Sequence, residues 1–337
     1  MPRPLKFVLL KGLQGFGDRL MCLLQAISYS KATRRRLVID WRDEDWTHDT
    51  LEPLDHYFKV VGIPTYGLDE FVQYWHAHAH ELSVYPSAWS PLILDPGYSE
   101  WIYKDVFSLP NKNADLWAIS QYKQDDYDAD IVVYPGVGMR TFSYTDLKLV
   151  HLSRWIELMI RQFSEKLKLA DQSFDIIHLR AGSKSWAGGH VPLQSLNKEI
   201  HDKWPNKNSY LDSLWKSYAE QTSNLPTLPL FLLGDQESLL KDWQDKFSCG
   251  TIIPNSAFNH LRESGIHKLS ASDLIDIGTG VGKSQLTYET LRDFVLMLNS
   301  RTLVSDGTSA YSRMALKCKL SGVRMVALGS NAGFQVM

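Results

Sequence analysis

The sequence predicts an α/β protein built from two Rossmann-type, doubly wound lobes with a cleft between them, and three observations predict it. At 337 residues the chain exceeds one ordinary core and suits two lobes of roughly 150 residues each. Its opening reads strand, glycine turn, helix, strand, which is the start of a doubly wound lobe. Its second half alternates strand and helix regularly, as a parallel sheet covered on both faces requires. The lobes are expected at residues 1–170 and 171–337, divided at the polar break Ala170-Asp171-Gln172-Ser173.

The elements follow from these patterns. Lys6 to Leu10 reads as a buried strand, and the turn Lys11-Gly12-Leu13-Gln14-Gly15-Phe16-Gly17 leads from it into a helix with Leu20, Leu23, Leu24 and Ile27 at helical spacing. Leu37 to Asp40 is the second strand. From Trp41 to Tyr127 the chain is rich in Trp, Tyr, His and Pro with weak periodicity, which predicts irregular loops and short helices. Ile131 to Tyr134 is strand-like. Leu149, Leu152, Ile156, Met159, Phe163 and Leu167 then mark one face of a long helix. In the second half, strands are expected at Phe174 to Leu179, Pro229 to Leu233, Thr251 to Ile253, Thr302 to Ser305 and Arg324 to Leu328. Helices should run between them at Tyr210 to Asn224, Glu237 to Phe247, Leu286 to Ser300 and Ser309 to Leu320.

Composition excludes several classes. Hydrophobic residues at 44% and charged residues at 22% are those of a folded globular protein. A net charge of −2 and the lack of a long like-charge run argue against a nucleic-acid partner, although Arg34, Arg35 and Arg36 form a short basic cluster. Three scattered cysteines, Cys22, Cys249 and Cys318, suit a reducing compartment, with the cytoplasm expected. No apolar stretch is long enough to read as a membrane segment. The 11 Trp and 15 Tyr offer flat faces with polar rims that suit sugar rings, although most such side chains serve packing.

Two segments carry chemistry. The strand ending at Leu179 runs into Arg180-Ala181-Gly182-Ser183-Lys184. There an arginine fork can hold a diphosphate, Gly182 lets the backbone approach, and Lys184 adds a point charge; a solvated basic loop is the alternative. The strand ending at Ser305 leads through Asp306-Gly307 to Thr308-Ser309-Ala310-Tyr311-Ser312-Arg313, where the start of a helix favours an anion; simple capping by Thr308 and Ser309 is the alternative.

Taken together, these segments resemble a known family. His178-Leu179-Arg180 after one strand, Gly234-Asp235 after the next, Asp293 on a helix, and the Thr308 to Arg313 run are similar to the GDP-fucose-dependent α1,6-fucosyltransferases of GT-B type, in particular their rhizobial members. Gly15-Phe16-Gly17-Asp18-Arg19-Leu20 and Leu37-Val38-Ile39-Asp40-Trp41-Arg42 resemble the opening of those proteins, so both lobes are touched. The resemblance implies an inverting transfer of a sugar, fucose first, from a GDP-sugar to a glycan, without a metal or other cofactor. It places Arg180 on the donor diphosphate, His178 and Asp293 on the nucleoside, and Ser309 with Thr308, Ala310, Tyr311 and Ser312 at the phosphates. Gly15, Gly17, Gly182 and Asp235 join the donor-binding set. A carboxylate at Asp293 suits the two N–H donors on guanine's pairing edge.

Two departures stand out. Relatives carry a second basic residue where this chain has Ala181, and a carboxylate in the loop that here reads Ser185-Trp186-Ala187-Gly188-Gly189-His190. Arg180 and Lys184 are the expected catalytic cations, while the general base is open among His190, Asp18 and Asp43. A non-catalytic nucleotide-sugar or glycan-binding protein on the same fold is therefore the alternative function.

Three other patterns carry less weight. Gly278-Thr279-Gly280-Val281-Gly282-Lys283-Ser284 is one residue short of a phosphate-binding P-loop, leaving a phosphotransferase as a weaker reading. The acids of Asp43-Glu44-Asp45 and Asp126-Tyr127-Asp128-Ala129-Asp130 are spaced as in manganese-using transferases, but acidic turns explain them as well. His76 and His80 would share a helix face and could take zinc, yet no third ligand is spaced to join them.

Overall fold

A computed structural model describes residues 5–12, 15–43, 46, 54–96, 126–134, 142–180, 203–256 and 283–329. The chain divides into two compact units, Met1–Ser153 and Arg154–Met337.

In the first unit, β1 (Phe7–Lys11), β2 (Arg36–Asp40), β4 (Val84–Tyr85) and β5 (Ile131–Tyr134) form a parallel sheet in the order β2-β1-β5-β4. Every residue of β1 is buried, as a central parallel strand covered on both faces demands. Phe7 and Leu9 pack with Val38, Ile131 and Val133 against Phe71 of α2 (Leu68–His78) and against Trp89. Val8 and Leu10 alternate to the other face. Helix α1 (Phe16–Thr33) buries Leu20, Leu23, Leu24 and Ile27, and Arg34 ends it in the left-handed conformation at φ 59°. A separate antiparallel pair joins β3 (Phe58–Val60) to β6 (Val150–Leu152).

In the second unit, β7 (Asp175–Leu179), β8 (Leu230–Gly234), β9 (Thr251–Ile252) and β10 (Leu303–Ser305) form a second parallel sheet, ordered β10-β7-β8-β9. Its helices among the described residues are α3 (Arg154–Lys166), α4 (Lys207–Thr222), α5 (Glu237–Phe247), α6 (Lys283–Asn299) and α7 (Ala310–Leu320). Ile177, Leu179, Leu232 and Val304 meet Tyr210, Leu211 and Leu214 of α4 and Leu239, Leu240 and Trp243 of α5. Helix α6 buries apolar residues around most of its circumference, among them Leu286, Leu291, Phe294, Val295 and Leu298, as a helix inside the packing must.

Several expectations are corrected. The apolar period from Leu149 onward is not one helix: Val150–Leu152 is strand β6, and α3 starts only at Arg154. Val150 and Leu152 point inward while His151 is exposed, so the edge pairing with β3 decides the conformation. Residues 324–328 form no strand. Their backbone is bound without a partner strand: Asn299 Nδ2 donates to the Val326 carbonyl (2.9 Å), Leu328 N donates to Asp171 Oδ1 (2.7 Å), and Asp171 N donates to the Leu328 carbonyl (3.3 Å). The aromatic middle holds, among its described residues, the two short strands β3 and β4 as well as helix. The units divide ahead of the polar break at 170–173 because α3 belongs with the second: Tyr288 Oη donates to the Met159 carbonyl (3.3 Å), and the Arg292 guanidinium lies 4.6 Å from the Phe163 ring centre.

Candidate functional site

The polar residues of the second unit gather where its strands end. Because β10 and β8 flank β7 in parallel register, with Ser305 and Leu233 both opposite His178, their three carboxyl ends open on one edge of the sheet. That is where open α/β sheets receive ligands. Arg180 follows β7, Asp235 follows β8, and Asp306 to Ser309 follow β10. Arg180 and the start of α7 therefore share one edge, as holding a common anion requires.

The charges are arranged in a chain. Arg180 Nε lies 3.3 Å from Asp235 Oδ2, with the arginine side chain 27% exposed and that of Asp235 10%. The Arg180 backbone N–H donates to Tyr210 Oη (2.8 Å), and Tyr210 donates onward to Asp306 Oδ2 (3.2 Å). Asp306 Oδ1 accepts from the Thr308 backbone N–H and from its hydroxyl, both at 2.8 Å. Gly307 makes this tight turn with φ +72°, a conformation that strains any side-chain-bearing residue. At the next strand end, a Cβ on Gly234 would come within 2.8 Å of the Leu179 carbonyl, so only glycine lets β8 finish this close to β7.

His178 is buried against this group. Burial pushes its imidazole down to about 4, outweighing Asp306 and Asp235, which act to raise it, while Arg180 lowers it further. The ring is therefore neutral at neutral pH, and its Nδ1 has no hydrogen-bond partner among the described residues. Tyr311, in the first turn of α7, sets its ring 5.8 Å from that of His178 and donates its hydroxyl to the Thr290 carbonyl (2.5 Å). Ser309 is the N-cap of α7 but makes no side-chain cap bond, so simple capping does not account for its hydroxyl.

Asp293 sits on α6 beside Tyr311, whose hydroxyl it helps to raise after burial. Burial pushes the Asp293 carboxyl above its ordinary value, outweighing the neighbouring Arg292, whose Nε lies 2.8 Å from Oδ1 and acts to lower it. It is thus a buried acid with a built-in counterion rather than an exposed helix charge. Arg292 also donates to the Pro254 carbonyl (2.9 Å), and Glu289 accepts from Ser256 N and Oγ (2.8 and 2.7 Å), which fastens the segment after β9 to α6.

The remaining sequence candidates fall in two groups. Gly15 is the N-cap of α1, with Gly17 and Asp18 in its first turn, in the first unit. Ala310 opens α7, and Ser312 is buried in its first turn. Gly182, Lys184, His190, the loop with Ala181, and the glycine run up to Gly282 lie outside the described residues. Asp43 cannot serve as an open proton acceptor, because Arg19 holds both its oxygens and its side chain is fully buried.

The weaker patterns resolve into structure. Arg35, in the middle of the basic cluster, is buried and donates to Asp126 and to four backbone carbonyls, including those of Tyr127 and Ala129. Asp130 accepts from Ser83 N and Oγ. Helix α2 stops at His78, so His80 leaves the face of His76. Among the described residues no group of His, Cys, Asp and Glu is disposed to hold a metal, and no helix is long and apolar enough to cross a membrane.

Sequence reasoning passed over Tyr210 and Asp306. Asp306-Gly307 after a strand is a turn signal that marks the carboxylate as a backbone acceptor. Tyr210 gives no local signal beyond its place in the first turns of a capped helix.

No protein-family profile matches the chain, and no curated protein does. Solved structures do. The chain is similar to the NodZ α-1,6-fucosyltransferase soaked with GDP-fucose, at 19% identity and a TM-score of 0.57, covering 93% of this chain and 92% of that one. The same figures hold for the fucosyltransferase NodZ from Bradyrhizobium. It is similar also to the apo form of POFUT1, at 13% identity and a TM-score of 0.53, covering 97% and 99%. The chain thus has the α/β, GT-B-like fold of these fucosyltransferases, with one four-stranded parallel sheet in each of its two units.

Proposed function

We propose that the protein is an inverting glycosyltransferase that moves a sugar, fucose first among candidates, from a GDP-sugar to a glycan. The observation that carries this reading is the shared sheet edge of Arg180, Asp235 and the β10–α7 turn, on a fold held in common with an enzyme soaked with GDP-fucose. The second unit is the donor side and the first the acceptor side.

In the reaction, an acceptor hydroxyl forms its bond to the sugar's anomeric carbon from the face opposite GDP. The bond from that carbon to the β-phosphate oxygen breaks, and its electron pair leaves on GDP. The hydroxyl proton passes to a base, for which Asp18 and His190 are the assigned candidates. The growing diphosphate charge is met by the open edge of the Arg180 guanidinium, by Lys184, and by the N–H groups and dipole at the start of α7. These groups take the part that a divalent cation plays in other transferases. Asp293, buried beside its counterion Arg292, is the acceptor for guanine's N–H edge. Three unbonded cysteines support a reducing compartment such as the cytoplasm.

The test is a thermal-shift panel of GDP, UDP, ADP and GDP-sugars with and without EDTA, followed by assays of GDP-fucose hydrolysis and transfer. Stabilisation by GDP and GDP-fucose, unaffected by EDTA and accompanied by slow hydrolysis, is expected. Binding without turnover on any acceptor selects the non-catalytic alternative, and stabilisation by ATP with magnesium alone overturns the reading.

A further inference from the structure

We infer that Tyr210 and Asp306 are positioning residues for the donor diphosphate: together they tie the backbone that carries Arg180 to the turn that begins α7, so that the two halves of an anion site keep one spacing. The inference rests on the nucleoside-diphosphate reading of this edge.

Tyr210 comes from a third element, α4, and is fully buried. Its place is set from both directions. The capping box of Asn206 and Ser209 fixes where α4 begins, and Ser209 lies one residue ahead of the tyrosine. The Trp204 ring stands edge-on to it at 5.4 Å. The phenol oxygen then makes two bonds of opposite sense, accepting from the Arg180 N–H and donating to Asp306. Burial raises the phenol well above its ordinary range, so the donor proton stays in place. Asp306 spends its other oxygen on Thr308, immediately before the α7 cap.

A buried tyrosine needs some partner for its hydroxyl, and one would satisfy it. Here both partners belong to the site. One is the residue that follows β7 and the other the residue that follows β10, just where the pairing of the two strands ends at Ser305 and His178. The side chain of Arg180 is steered separately, by Asp235. The phenol therefore governs where the Arg180 backbone sits, and Asp235 governs where the guanidinium points.

The experiment is titration of the full-length protein with GDP and, by competition, with guanosine. Tyr210→Phe keeps the ring in the core and removes only the relay. We expect it to lower GDP affinity about tenfold, one hydrogen bond's worth, and to leave guanosine affinity unchanged. Asp306→Asn replaces one acceptor oxygen by a donor, so whichever way the amide turns one of the bonds is lost; it should behave alike. Because both act through one chain, the double variant should lose no more than the worse single variant. Unchanged GDP affinity in Tyr210→Phe overturns the inference, as does an equal loss for guanosine, which marks a general loosening, or a double loss equal to the product of the single ones. Absence of GDP binding by the unmodified protein overturns the diphosphate reading itself, and this inference with it.

Discussion

The two parallel sheets put charged residues at the same place, at or just past the carboxyl ends of their strands, and treat them in opposite ways. In the first unit Lys11 Nζ lies 2.6 Å from Asp40, both without exposure, and Arg42 bonds both oxygens of the same aspartate at 2.8 and 3.0 Å. Arg19 grips Asp43 with two bonds, both side chains fully buried, and its guanidinium carbon lies 5.5 Å from the Trp41 ring centre and 5.7 Å from that of Trp46. Those charges are closed upon one another. In the second unit Arg180 meets Asp235 only at a looser 3.3 Å and keeps about a quarter of its side chain open, and His178 Nδ1 lacks a partner among the described residues. Polar strand ends alone do not make a site. The difference lies in whether the charges are used up by the fold.

The comparison breaks most visibly at Arg19. Removing one member of a fully buried ion pair leaves the other charge without compensation, at a cost of about 3–5 kcal/mol. Arg19→Ala and Asp43→Ala should each lower the stability of the first unit by that amount in urea denaturation. The double replacement Arg19→Met/Asp43→Leu should cost far less than the two single changes summed. A loss below about 1 kcal/mol for Arg19→Ala would mean the pair is not closed into the core, and the contrast between the two strand ends fails.

The next effect is one of pH and belongs to the second unit. The folded imidazole of His178 sits near 4 and an unfolded one near 6.5, so between those values the unfolded chain binds the extra proton. Stability therefore falls as pH drops through that window, by up to roughly 3 kcal/mol from this residue. Asp40, which Lys11 and Arg42 hold below its ordinary value despite burial, pushes in the same direction at lower pH. The histidine's share is isolated by His178→Gln: the variant's stability relative to the unmodified protein should improve steadily from pH 6.5 toward pH 4. A constant difference across that range would place the ring in contact with water.

A ligand effect of comparable or smaller size sharpens the functional side of the contrast. Each charge-assisted bond from Arg180 to a diphosphate is worth about 1.5–3 kcal/mol, so Arg180→Ala should weaken GDP binding about 10- to 150-fold in calorimetric titration. Asp40→Asn in the first unit should leave the GDP affinity of the folded protein unchanged. Equal losses from both changes would erase the distinction between an open and a closed strand end.

Much of this was legible in the chain, and the reasons for the rest are physical. β5 and α5 fall where the sequence puts them, because a buried apolar run bounded by turn residues and an amphipathic stretch of helical length each declare themselves locally. The places of His178, Arg180 and Asp235 at or just past strand ends were legible because β7 and β8 are readable apolar runs. The strand Val150–Leu152 was not, since its apolar residues fit a helical period and only the distant partner Phe58–Val60 makes it extended. Residues 324–328 look like a strand because of their apolar residues, of which Val326 and Leu328 are buried, but their backbone is bound by the side chains of Asn299 and Asp171 and by the Asp171 N–H rather than by a strand. The Tyr210–Asp306 contact joins residues far apart in sequence, and nothing local announces it.

The smallest effect separates what holds the second unit together from what equips its edge. Asn206 caps α4 by accepting the Ser209 N–H at 2.9 Å, while Ser209 reaches back to the Asn206 N–H at 3.4 Å. Asn206→Ala should cost about 1 kcal/mol in urea denaturation, the ordinary worth of such a cap. The loss frays residues ahead of Tyr210, which remains held by Trp204 and by its own two bonds. GDP affinity should therefore stay within about twofold of the unmodified protein, a shift well under 1 kcal/mol. A tenfold fall instead would show that the helix start, rather than the packed phenol, sets the spacing between Arg180 and the turn into α7, and the line between scaffold and site would move to include it.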